Sequence, residues 1–182
     1  MKKQVPKYSI LLILTIMFAA PGVAAYVFYR HPSWLGSTKV NKGTFINPPI
    51  VLNALDDHAK WRIVYWSPGE CEKKCLQELD TLARLRLALG RKLYQVDQWL
   101  ILGEQAQPFS PEVTSLLKEQ DFRVVHLSSA ELAQVNVLND KAQIFLANPD
   151  NYLILSYQSP VNPDDVYKDL KLLLNTTESK SG

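Results

Sequence analysis

Cysteine and methionine each occur only twice among these 182 residues, and histidine three times. Two cysteines cannot form the several bridges of a small secreted scaffold, and with scattered histidines they give no zinc-finger spacing. The seven glycines are spread so thinly that neither a GxxxxGK[ST] phosphate loop nor a GxGxxG dinucleotide fingerprint can be written. No GxSxG nucleophile elbow occurs either. Met17 is the last methionine, so thioether ligands are excluded from everything that follows it. The charge of +2 is close to balance, but the balance conceals a division. Residues 1–31 hold Lys2, Lys3, Lys7 and Arg30 and no acid, which leaves sixteen basic residues against eighteen acidic ones in the remainder. That remainder carries no basic excess for a phosphate backbone, so neither nucleic acid nor nucleotide is an expected partner.

The long apolar run YSILLILTIMFAAPGVAAYVFY, residues 8–29, contains no charged side chain and reaches the roughly 20 residues needed to cross a bilayer. Three lysines precede it, while only Arg30 and His31 follow at once, so the positive-inside rule places residues 1–7 in the cytoplasm and exports the rest. Tyr26, Tyr29 and Trp34 stand where aromatic rings settle at the outer headgroup level. A signal peptide cut near Gly22–Ala25 is the rival reading. The run outlasts a typical h-region of about 7–15 residues, which favours an uncleaved anchor. A buried core helix would carry a polar face, which this segment lacks.

Residues 30–57, with Pro32, Gly36, Gly43, Pro48 and Pro49, read as a tether and extended lead-in. Regular patterning occupies 58–175. WRIVYW (61–66) is a strand ending at Ser67-Pro68-Gly69, and Cys71 to about Leu89 is an amphipathic helix with leucines at three- and four-residue spacing. Strands follow at 98–102 and 122–127, with a Ser110-capped helix between them and a short Ser128-capped helix after. A hairpin, 143–146 and 152–155, turns at Asn148-Pro149-Asp150-Asn151, and a last helix starts at Asn162-Pro163. Residues 176–182 read as a flexible tail. Alternation of this kind predicts an α/β domain with a mostly parallel sheet between helices and one antiparallel addition.

Chemistry concentrates in Cys71-Glu72-Lys73-Lys74-Cys75, at the junction of the first strand and the long helix. The carboxyl end of the sheet is where α/β folds place their sites, and a helix start with neighbouring lysines favours thiolate. One helical turn separates the two sulfurs, so they can close a bridge or grip one ion. A plain structural disulfide is the alternative. His58 and His126, at opposite ends of strands, read as surface or core histidines. Asp56-Asp57 and Asp164-Asp165 fall at turn or cap positions. Arg84, Arg86, Arg91 and Lys92 read as the solvated face of the long helix, with docking of an acidic partner as the alternative.

The anchor, WRIVYW, SPGE, CEKKC at a helix head and the late hairpin IFLANPDNYLILSY before a terminal helix resemble the Sco/SenC-like thioredoxin-fold proteins over roughly residues 45–175. The resemblance implies a thioredoxin-like fold, a central mixed sheet flanked by helices, behind one transmembrane helix. It further implies a single-pass protein of the bacterial inner membrane with a periplasmic domain, serving assembly of a haem–copper respiratory oxidase through that enzyme's subunits or other assembly factors. Family members hold copper with two cysteines and a histidine just ahead of the hairpin. Here Cys71 and Cys75 correspond to the cysteines, and the histidine position falls near Asp140, a hard oxygen donor poorly suited to Cu(I). Ala142 and Gln143 stand where a thioredoxin-type proline would precede the hairpin.

Three functions fit these residues. The first is an oxidase assembly factor in which Cys71 and Cys75 carry metal or reduce a partner's copper-site cysteines, and which is more an assembly factor than a turnover enzyme. The second is a general thiol–disulfide oxidoreductase, and the third a non-catalytic partner-binding module with its cysteines bridged.

Overall fold

The computed structural model describes residues 7–31, 41–55 and 60–178, which fall into two compact units, Met1–Val40 and Asn41–Gly182. Among the described residues the first unit holds one helix, α1 (Lys7–Arg30), of 24 residues. At about 1.5 Å per residue it exceeds the roughly 30 Å hydrocarbon core, and Tyr8–Arg30 is a candidate membrane span by length and composition. At its C-terminal end Arg30 Nε donates to the Tyr26 hydroxyl at 3.2 Å.

The second unit runs β1 (Thr44–Val51), β2 (Trp61–Ser67), α2 (Lys73–Ala88), β3 (Val96–Gly103), α3 (Pro111–Glu119), β4 (Phe122–Leu127), α4 (Ser129–Gln134), β5 (Gln143–Ala147), β6 (Tyr152–Gln158) and α5 (Pro163–Glu178). A 3₁₀ turn, Gly90–Gln95, joins α2 to β3. The six strands form one sheet in the order β1-β6-β5-β2-β3-β4. β2, β3 and β4 are parallel, while β5 and β6 fold back as an antiparallel hairpin against β2. The result is a thioredoxin-like architecture, a mixed sheet flanked by helices.

β2 is buried along its whole length, as a central strand covered on both faces must be. Its residues alternate between two cores. Ile63 and Tyr65 pack with Leu79 and Leu82 of α2 and with Val166 and Leu170 of α5. Val64 and Trp66 face the other way, among Leu52, Leu55, Trp99 and Phe145. Terminal signals agree with the helices: Ser110 accepts from the Val113 amide, and Ser128 with Glu131 forms a reciprocal capping box.

Several expectations change. The extended lead-in supplies a full edge strand, β1, antiparallel to β6, with an irregular register between Phe45 and Ile50 where Pro48 and Pro49 interrupt the pairing. The helix expected from Cys71 begins at Lys73, so Cys71 belongs to the loop. Arg86 is not on a solvated face. It is 8% exposed, its Nε donates to the Val96 carbonyl at 2.7 Å and its Nη1 pairs with Asp121 at 3.0 Å. Arg84 is exposed and pairs with Asp80 one turn away. Asp56, Asp57 and His58 lie outside the described residues.

Candidate functional site

β2 ends at Ser67 in the middle of the sheet, and the chain must leave that buried edge through Pro68-Gly69-Glu70 before α2 can start. Gly103, at the matching end of β3, leaves room for this turn, since a Cβ there would collide with the Pro68 carbonyl oxygen. The turn delivers Cys71 to the head of α2, and Cys75 follows inside the first turn.

Cys71 and Cys75 are joined in a disulfide, their Cα atoms 5.1 Å apart. The two sulfurs have different surroundings. Cys71 is partly exposed, whereas Cys75 is 7% exposed and packs with the core leucines of α2. Glu72 occupies the N-cap position without a side-chain capping bond, so the first-turn amides of α2 remain free to donate toward a thiolate at the bridge.

An open groove of about 640 Å³ starts at Cys75, walled by Tyr65, Glu72, Lys74, Glu78 and Ser159. Glu78 lies one turn beyond Cys75 on the same side of α2. Its Oε1 accepts from Ser159 Oγ at 2.5 Å, its Oε2 is shut off from solvent, and the Tyr65 phenol bears on the same carboxylate. The Tyr65 phenol, buried at the C-terminal part of β2, is pushed well above its ordinary pKa, first by burial and then by the Glu78 charge. A second cavity of about 380 Å³, lined by Asn139, Asp140 and Lys141, shares Ala142 and Ser159 with the first. Trp66 Nε1 donates to the Asn139 carbonyl at 2.8 Å and holds this loop against β2. Lys141 and Ala142, not proline, lead into β5, but Ser159–Pro160, after the hairpin, is a cis peptide on the groove wall.

Residues 61–177 match a protein family described as the transmembrane-like, thioredoxin-like, C-terminal domain. The chain belongs to this family. No curated protein matches the sequence. Among solved structures, a thiol:disulfide interchange protein from a Bacteroides species is similar at 16% identity, with 73% of this chain and 90% of that one covered and a TM-score of 0.46. Copper-bound ScoI from Arabidopsis thaliana is similar at 15% identity, over 65% and 86% of the two chains, with a TM-score of 0.47. StoA from Bacillus subtilis is similar at 15%, over 68% and 96%, with a TM-score of 0.45. These are likenesses of fold.

In this member of the thioredoxin-like family the described residues do not bring together the donors for a Sco-type copper centre. Among the described residues no three of His, Cys, Asp and Glu are grouped to hold a metal. Asp140 lines the adjoining cavity and not the groove at Cys75. His126 is exposed on edge strand β4, in register with Leu102, which pairs in turn with Ser67, so two strand spacings, about 10 Å, separate it from the end of β2. Asp140 offers a hard oxygen, a poor donor for Cu(I).

Sequence reasoning located the cysteines but missed Tyr65, Glu78 and Ser159. A carboxylate three residues after Cys75, on the face of α2 that carries Leu79 and Leu82, was the available signal for Glu78.

Proposed function

We propose that this protein is a membrane-tethered periplasmic thiol–disulfide exchange factor that acts as a reductant of partner cysteines. The observation that carries the reading is the asymmetry of the Cys71–Cys75 bridge: one cysteine partly exposed at the head of α2, the other buried behind it. In the reduced protein the Cys71 thiolate attacks a partner disulfide, forming a mixed disulfide and releasing one partner thiolate. Cys75 then attacks Cys71, closes the bridge and frees the second partner thiol. Two electrons and two protons pass to the partner. A second dithiol of lower potential must reduce the bridge before another turn.

The anchor over 8–29 keeps the N-terminus in the cytoplasm and residues 58–175 in the periplasm of a bacterial inner membrane. The Sco resemblance of the residues directs the reading to copper-site cysteines of a haem–copper oxidase as the substrate. Thiol reduction is preferred over metal carriage because, among the described residues, no third donor accompanies the pair.

The test is a single-turnover reaction of the reduced full chain, in detergent, with an oxidised peptide carrying two cysteines in CxxxC spacing, quenched with acid and read by mass spectrometry. Stoichiometric transfer of the bridge, abolished in Cys71→Ser/Cys75→Ser, is expected. No transfer, together with stoichiometric Cu(I) binding by the thiols, would replace reductant with metal carrier.

A further inference from the structure

We infer that the groove at Cys75 continues along α2 into an apolar trough that receives the exchange partner's own chain, seating an apolar side chain about five residues from the partner's reacting cysteine. The inference rests on the exchange reading above and names its substrate class.

A third cavity, of about 340 Å³, lies between α2 and α5 and is lined largely by Leu85, Ala88, Pro163 and Tyr167. Thr81 lines both this cavity and the groove at Cys75, so the α2 wall is shared. The facing wall is continuous as well. Ser159 and Pro160 border the groove, and Pro163 and Tyr167, the next residues to reach α2, border the trough. One channel therefore leads from the bridge along the side of α2.

The charges at the trough are answered within the chain. Arg84 pairs with Asp80 at 2.9 Å. Asp164 stands in the first turn of α5, where the helix dipole favours an acid. The Lys171 ammonium lies over the Tyr167 ring, 5.6 Å from its centroid, and braces that wall. Apolar surface is what remains for a ligand, and an open apolar trough of this kind marks a binding site. A leucine-like side chain gains by leaving water there, whereas a charged one would lose hydration without a free counter-charge.

Continuity with the bridge selects the occupant. Leu85 follows Cys75 by ten residues of α2, about 15 Å of helix. An extended chain rises about 3.3 Å per residue, so about five residues of a partner joined to Cys71 cover that distance. The segment that presents the reacting cysteine thus reaches the trough with its own side chain.

The experiment compares two oxidised CxxxC peptides of identical composition against the reduced full chain in detergent, so that partition into micelles is matched. One carries a leucine five residues to either side of the cysteine pair, and the other carries both leucines directly beside it. The first is expected to be reduced about tenfold more efficiently in kcat/KM, through KM, the scale of burying one such side chain. Ala88 is exposed, so Ala88→Gln fills the trough without disturbing the core, and there the two efficiencies converge. In Leu87→Gln, which removes an exposed leucine outside the trough, the preference persists. Equal efficiencies in the unmodified chain, or a full preference surviving in Ala88→Gln, would overturn the inference and leave the exchange reading standing. Concentration-dependent dimerisation abolished by Ala88→Gln would assign the trough to a second copy and overturn it equally. If neither peptide is reduced while two free thiols are titrated, the exchange reading itself falls, and the substrate class with it.

Discussion

The Tyr157 phenol donates to Asp169 Oδ2 at 2.7 Å, and the Gly43 amide ends on the same oxygen at 2.7 Å, with the Lys42 amide beside it at 2.8 Å. Asp169 is 2% exposed. A carboxylate is tolerated there because these donors replace its water. The contact latches the start of the folded unit, where the chain enters β1, onto α5. Gly43 must lack a side chain, since a Cβ would fall on the Tyr157 ring.

Breaking this latch destabilises the domain without touching the bridge. Asp169→Ala is expected to cost about 3 kcal/mol, the scale for hydrogen bonds to a charged group left unmade. Gly43→Ala costs about 1–3 kcal/mol by overpacking. Urea denaturation measures both, and amide exchange at Lys42 and Gly43 should accelerate ahead of the sheet centre.

High pH should also weaken the fold. Tyr65 and Tyr157 both have raised pKa values, Tyr65 through burial and the Glu78 charge, Tyr157 through burial and its bond to Asp169. The folded state therefore keeps two protons that the unfolded chain sheds near pH 10. Their stabilisation is complete below about pH 10 and is lost as pH rises toward the folded values, with a slope of up to about 2.7 kcal/mol per pH unit for two groups. Thermal melts from pH 8 to 11 check the sign, and Tyr65→Phe/Tyr157→Phe should flatten the profile.

The sequence made the local features legible and left the long-range ones hidden. Ser110 and Ser128 announce their helices because capping depends on residues within one turn. Cys71 and Cys75 are legible for the same reason. β1 escapes because Pro48 and Pro49 interrupt it, its exposed and partly buried residues do not alternate, and its pairing comes from β6, more than a hundred residues later. Arg86 reads as solvated by type, yet its partners, Val96 and Asp121, are set by the tertiary fold. The groove wall is assembled from Tyr65 on β2, Glu78 on α2 and Ser159 after β6, a juxtaposition that no spacing rule contains.

Gly103 ties the sheet edge to the redox loop. Gly103→Ala forces the Pro68 carbonyl to move, with an expected loss of about 1–3 kcal/mol. Because Pro68 leads directly into Cys71, exchange with a small disulfide should slow by more than the stability loss explains, a difference read by comparing melting temperature with single-turnover rate.

The two cysteines should differ in function as they differ in burial. Cys75→Ser leaves Cys71 accessible and is expected to accumulate a mixed disulfide with a partner peptide. Cys71→Ser leaves only the buried Cys75 sulfur, and accumulation should fall at least tenfold. Non-reducing mass spectrometry of both variants makes the comparison.

Equilibration of the Cys71–Cys75 pair against a dithiol redox buffer, with thiol alkylation counted by mass spectrometry, tests the central claim most directly. An exchange site should reach half-reduction within the span of known exchange proteins, about −120 to −270 mV. A bridge that stays closed to below about −300 mV would be a structural staple, and would contradict the account.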